Sequence, residues 1–156
     1  MERQLSMDNI IPQIKLVKTH PDAKLPVANV KDPLTGDTGY DLYSVEGAYI
    51  QPKSSTVVNV GLTLGYIEPG YWLQILPRSG LGFKKGLQPH LGVIDNQYRG
   101  DLAVKIYNLS NNPVELKKGD RIAQLVIHQL NQVEFSFVDE VEETTRGAKG
   151  FGSSGA

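Results

Sequence analysis

Two carboxylates and one arginine stand where chemistry is expected, each beside a short apolar run. Asp95 closes Gly92-Val93-Ile94 and opens the polar stretch Asn96-Gln97-Tyr98-Arg99-Gly100-Asp101. A carboxylate fixed at the end of an apolar strand can orient and deprotonate water, and Tyr98 could give a flat wall against a sugar. The plainer reading is a hairpin whose Asp caps its turn. Asp41, inside Gly39-Tyr40-Asp41-Leu42-Tyr43-Ser44, is either a strand-end turn former or a hard oxygen ligand able to hold magnesium directly or through water. Pro77-Arg78-Ser79-Gly80-Leu81-Gly82 follows a strongly apolar run. Proline ends the strand, and the corner behind it can offer N–H groups, a hydroxyl and a guanidinium to a phosphate; taken alone, Pro-Arg-Ser also occurs by chance. Gln124, in Gly119-Asp120-Arg121-Ile122-Ala123-Gln124-Leu125, has an amide that can donate to a phosphate oxygen or face water from an edge strand.

The elements that position these groups read as β. Sixteen Gly and nine Pro punctuate short β-rich runs, and no stretch keeps a 3.6-residue apolar period long enough for a long helix. Residues 13–17, 55–64, 71–76, 101–108, 121–129 and 134–138 are the predicted strands, with one short helix over 79–85. Glu68-Pro69-Gly70, Asn111-Asn112-Pro113 and Lys117-Lys118-Gly119-Asp120 are the turns. This spacing predicts an all-β sandwich, barrel or jelly-roll-like architecture. Neither repeats nor an internal linker divide the chain, so one domain is expected over residues 1–156.

Composition excludes several classes. The 156 residues carry 16 basic and 17 acidic side chains, a net charge of -1, so nothing global advertises a nucleic-acid or membrane surface. With no cysteine, disulfides, thiolate metal sites and a cysteine nucleophile are all excluded. The three histidines, His20, His90 and His128, lack metal-ligand spacing, and Lys84-Lys85 reads as a solvated pair. Residues 1–11 lack the uninterrupted apolar core of a signal peptide, and no apolar run approaches the roughly 20 residues of a membrane span; the simplest address is cytoplasmic. Residues 142–156 are Gly- and Ser-rich, which alone reads as a loose tail. A plain linker has no need of Arg146 and Phe151, however. Glycine-rich backbone and an Arg fork bind phosphate oxygens, and an aromatic ring can stack on a base.

The order and spacing of these segments resemble the five motifs of the trimeric deoxyuridine triphosphate nucleotidohydrolases, the dUTPases. The resemblance rests on Gly39-Tyr40-Asp41-Leu42, Pro77-Arg78-Ser79-Gly80-Leu81, Gly92-Val93-Ile94-Asp95 with Tyr98 and Gly100, Gly119-Asp120-Arg121-Ile122-Ala123-Gln124-Leu125, and Arg146-Gly147 with Gly150-Phe151-Gly152-Ser153. It implies a jelly-roll-like β-clip barrel with one short helix and a flexible C-terminal arm. It also implies hydrolysis of dUTP to dUMP and pyrophosphate, which limits uracil incorporation into DNA and supplies dUMP for thymidylate synthesis. In such a protein Asp95 activates the attacking water, and Mg2+ on the triphosphate is positioned by Asp41, directly or through water. Arg78, Ser79, Gly80 and Gln124 hold the phosphates. Uracil pairs with backbone between Pro89, Gly92, Val93, Ile94 and Ala103, in a slot too narrow for the thymine methyl, while Tyr98 packs on deoxyribose. Phe151 closes over the base, with Arg146, Ser153 and Ser154 near the γ-phosphate and Gly152 also binding substrate. The resemblance further implies a homotrimer with sites shared between subunits, and an inactive monomer.

Three positions depart from the family pattern: Thr38 where Ala is common, Asn96-Gln97 where a second acid is frequent, and Lys149 where Gly is usual. Lys149 removes a flexible joint and adds positive charge, so altered arm closure is expected rather than lost chemistry. Residues 1–9 match nothing in the pattern and are expected to be a frayed extension. Two competing readings remain. A deoxycytidine triphosphate deaminase shares the fold, but its family places a Glu where this chain has Lys105. A non-catalytic trimeric module would bind a nucleotide or a partner without turnover.

Overall fold

The structure, a computed structural model, describes residues 11–150 and 152; the expectations for residues 1–9 and for Phe151, Ser153 and Ser154 lie outside the described residues. In chain order the elements are β1 (Ile14–Lys18), β2 (Tyr40–Tyr43), β3 (Ala48–Ile50), β4 (Ser55–Ile67), β5 (Tyr71–Leu76), α1 (Ser79–Lys85), β6 (Leu87–Pro89), β7 (Gly92–Ile94), β8 (Asp101–Asn108), β9 (Val114–Leu116) and β10 (Arg121–Gln129). Two four-stranded sheets, ordered β1-β4-β8-β6 and β2-β10-β5-β7, carry the fold, with β3 and β9 forming a small third sheet. The architecture is all-β and jelly-roll-like, as expected, but its sheets stay open rather than closing into a continuous barrel.

Alternation explains the layering. In β8, Leu102, Val104 and Ile106 point inward while Asp101 and Lys105 face out, as a pleat with period two requires. Val58, Val60 and Leu64 of β4 join Leu42, Leu73, Ile75, Ile122 and Leu125 of the other sheet in a single buried cluster. Fully burying each such side chain contributes about 1.5–3 kcal/mol, so this cluster holds the two sheets together. The buried Asn108 donates its amide to Ile50 O (2.9 Å) and Asn112 O (2.8 Å), which ties the third sheet to β8 without leaving a polar group unpaired.

Two expectations are corrected. Residues 134–138 form no strand: every residue from 129 to 150 is exposed. Val133, Phe135 and Phe137 alternate with polar residues, yet they are 65%, 92% and 105% exposed, and the segment pairs with no strand of the described chain. The segment around Asp95 is likewise no hydrogen-bonded hairpin. Its first arm, β7, pairs with β5, whereas its second arm, β8, pairs with β4 and β6 in the other sheet. The chain reverses at residues 95–100, but the two arms diverge.

Candidate active site

That divergence opens a slot. β7 is the edge strand of its sheet, and β8 pairs with β6 only from Ile106 to Asn108, so facing strand edges between Gly92 and Ala103 lack a ladder partner. Unpaired strand edges present N–H and C=O groups at fixed spacing, which suits reading the edge of a flat heterocycle. The slot has a volume of about 240 Å³ and includes Gly92, Val93, Ile94, Asp95, Tyr98 and Ala103, all predicted from the sequence. Tyr98 forms its wall: the hydroxyl donates to Asp101 O (2.7 Å) and the amide to Asp95 O (3.0 Å). Gly100 makes this ring position possible, since a Cβ there would lie 2.4 Å from the Tyr98 hydroxyl. The Asp95 side chain is exposed on the rim, and no hydrogen bond or ion pair engages it among the described residues. An unengaged carboxylate retains the lone pairs a general base needs.

A second, polar cavity of about 290 Å³ gathers Asp41, Arg78, Ser79 and Gln124. Sheet register brings them together: Gln124 of β10 lies opposite Asp41 of β2 on one side and Leu76 of β5 on the other. Two residues after Leu76, Arg78 turns back across the row. Its Nε donates to Asp41 Oδ1 at 2.7 Å, and Asp41 is only 9% exposed. The Gln124 amide donates to Pro77 O (2.8 Å), leaving one N–H for a ligand. Gly39 leaves room for that amide; a Cβ would sit 1.8 Å from Gln124 Oε1. Sequence reasoning missed Arg121, whose Nη1 lies 3.8 Å from Asp41 Oδ2. Its signal was present, a cation opening the strand that pairs with Asp41's own.

The slot and the corner share no residue. Gly80 sits in the exposed first turn of α1 and Pro89 is buried at the end of β6, and neither lines either cavity. Arg146 and Gly152 lie on the exposed arm, where Arg146 Nε donates to Lys149 O (2.8 Å) across a small turn. The metal expectation can be tested on the donor set. Among the described residues no cluster of three or more His, Asp or Glu could cage a metal, and Asp41 is engaged by Arg78. The corner therefore fits no resident ion, only a hydrated ion that brings most of its ligands with it, the usual habit of magnesium on phosphates. No helix among the described residues is long and apolar enough to cross a membrane.

The chain is similar to known proteins in both sequence and fold. The chain matches the dUTPase family over residues 26–155. The deoxyuridine 5'-triphosphate nucleotidohydrolase of Wolinella succinogenes is 41% identical over 145 residues, which span 92% of this chain and 94% of that protein. Its namesake in Helicobacter pylori is 39% identical over 145 residues, covering 92% and 97%. Among solved structures, a mutant dUTPase of Staphylococcus bacteriophage 80alpha with dUpNHpp has a TM-score of 0.78 and 28% identity, covering 92% of this chain and 99% of that one. With slot and corner inside the matched stretch, the chain belongs to the dUTPase family.

Proposed function

We propose that this protein hydrolyses dUTP to dUMP and pyrophosphate. The observation that carries the reading is Asp95, an unengaged carboxylate on the rim of a slot whose unpaired strand edges can read a base. Water held by Asp95 attacks the α-phosphorus and gives its proton to the carboxylate. The bond from the α-phosphorus to the bridging oxygen breaks, and pyrophosphate leaves with that oxygen. Backbone groups of Gly92 to Ala103 pair with uracil, and Tyr98 packs on the sugar. Arg78, Ser79, Gly80 and Gln124 bind the triphosphate, where guanidinium and amide donors offset charge that grows in the transition state. Asp41 would help hold magnesium on the triphosphate, directly or through water, and the ion when bound would neutralise charge on the phosphate oxygens.

The working unit is a homotrimer. The slot with Asp95 and the corner with Arg78 share no lining residue, so each reads as half a site. Joining the corner of one copy to the slot of the next completes both halves, and closed threefold symmetry makes every copy equivalent. The arm supports the same reading. Phe135 and Phe137 stand almost fully exposed, and burying each would contribute about 1.5–3 kcal/mol. Farther along, Arg146, Phe151, Gly152, Ser153 and Ser154 close over the base and γ-phosphate of a neighbour's site, excluding water. Residues 1–156 are read as one domain, with residues 142–156 as its closing segment.

The test is pyrophosphate release from dUTP with magnesium, beside UTP, dTTP and dCTP and an Asp95→Asn control. Release from dUTP alone, lost in the control, is expected. No release from any substrate would leave a binding module, and ammonia from dCTP would indicate a deaminase. Deamination is disfavoured by Lys105, a cation at the sequence position where the deaminase family has its Glu.

A further inference from the structure

Asp95 has no side-chain partner among the described residues, so its aim depends on its backbone. The adjacent residue supplies the anchor. Asn96 Nδ2 donates to Tyr71 O at 2.8 Å and to Glu68 O at 2.9 Å, with Ile67 O at 3.4 Å. Those carbonyls belong to the last residue of β4, the first of β5 and the turn between them. One amide thus fastens the loop at Asp95 to a junction that spans both sheets. From the other side, Arg99 Nη1 donates to Asn96 O (2.7 Å) and Tyr98 O (2.9 Å), stiffening the loop as it turns toward β8.

We infer that Asn96 is the positioning residue that holds the Asp95 carboxylate at the water, acting through the backbone and touching no substrate. The inference rests on the proposed role of Asp95. Its chemistry is specific, because the junction offers carbonyl oxygens only and therefore requires a donor. Aspartate has nearly the same shape, yet its carboxylate has no hydrogen to give and would set negative charge against three acceptors. Alanine merely removes the tie. Misplacing a reacting group by about 1 Å can cost on the order of 10²-fold in rate, so the effect should fall on turnover rather than on nucleotide binding.

The experiment compares the parent, Asn96→Ala, Asn96→Asp, Asp95→Asn and the Asn96→Ala/Asp95→Asn double variant, with melting and oligomer mass confirming that folded protein is assayed. Asn96→Ala should lower kcat about tenfold or more while KM for dUTP and Kd for dUMP stay within about threefold, and Asn96→Asp should be at least as impaired. In the Asp95→Asn background the Asn96→Ala change should move the residual rate by less than about twofold, since its effect passes through the missing carboxylate. The inference is overturned if Asn96→Ala leaves kcat within twofold of an active parent, or lowers the residual rate of Asp95→Asn by as much as it lowers the parent's. A parent that releases no pyrophosphate from dUTP would instead remove the proposed reaction, and this inference with it.

Discussion

The slot and the corner solve different problems with different materials. The slot is made of backbone: two diverging strand edges, a glycine beside a tyrosine ring, and a carboxylate that no side chain restrains among the described residues. The corner is made of charged and amide side chains that hold one another, with Asp41 gripping Arg78 and Gln124 gripping Pro77 O. Backbone edges can distinguish one base from another, because their donors and acceptors are fixed by the fold. Paired charges can hold a polyanion, because a guanidinium already aimed by a buried carboxylate loses little freedom when phosphate arrives. On the proposed reading, recognition and water activation fall to the slot and phosphate grip to the corner.

Substitutions can break that division, beginning with the largest effect. Asp95→Asn should lower kcat by about 10²–10⁴-fold, the usual contribution of a positioned base, while dUMP affinity by calorimetry stays unchanged; an equal loss of dUMP binding would make Asp95 a binding residue. Arg78→Ala should lower kcat/KM for dUTP about 10–100-fold through lost charge-assisted hydrogen bonds while barely altering dUMP binding. The same change leaves Asp41 buried without its nearest partner, with only Arg121 at 3.8 Å, so it should also cost about 3 kcal/mol in denaturant unfolding. Gly100→Ala drives a methyl into the Tyr98 ring, and should weaken dUTP and dUMP alike by about tenfold through overpacking. Unequal losses there would mean that the slot also senses phosphates.

The smallest expected effect lies in the loop that leads to the corner. The Asp32 carboxylate accepts the N–H groups of Leu34 and Thr35, both at 2.8 Å, and these bonds hold it below the usual carboxylate range. A lowered folded-state value means that the stabilisation is present above the ordinary carboxylate range and is lost as pH falls through the lowered value. Asp32→Asn should therefore melt slightly below the parent at pH 7, with the gap closing in strong acid. A gap that persists in acid would locate the effect elsewhere.

The two regions were unequally legible in the sequence. Asp95, Tyr98 and Ala103 line one slot, and a short segment of the sequence carries most of it. Its opening was hidden, since divergence depends on pairs distant in the chain, Leu73 with Ile94 and Val58 with Val104. For the corner, Asp41, Arg78 and Gln124 could be named one by one, but their shared row follows from strand register, which no local pattern encodes. Arg121 and the Asn96 anchor were lost for the same reason. Helix α1 matched its predicted span, whereas three-residue strands such as β3, β6 and β9 are too short to leave a period. Residues 134–138 are the instructive miss: their alternation reports a face that needs burial, and a strand also needs a partner edge.

The central claim is that slot and corner from different copies make one site, and subunit mixing tests it most directly. Asp95→Asn chains, which lack the base, and Arg78→Ala chains, which keep about 1–10% of kcat/KM, are co-expressed in equal amounts, purified together without separating the species and assayed at dUTP well below KM. If each site takes its corner from one copy and its slot from the next, random mixing regenerates about a quarter of the sites with both groups intact. Pyrophosphate release from dUTP should then recover to about a quarter of the parent rate. Recovery no greater than the sum of the two variants would contradict the account and confine each working site to a single chain.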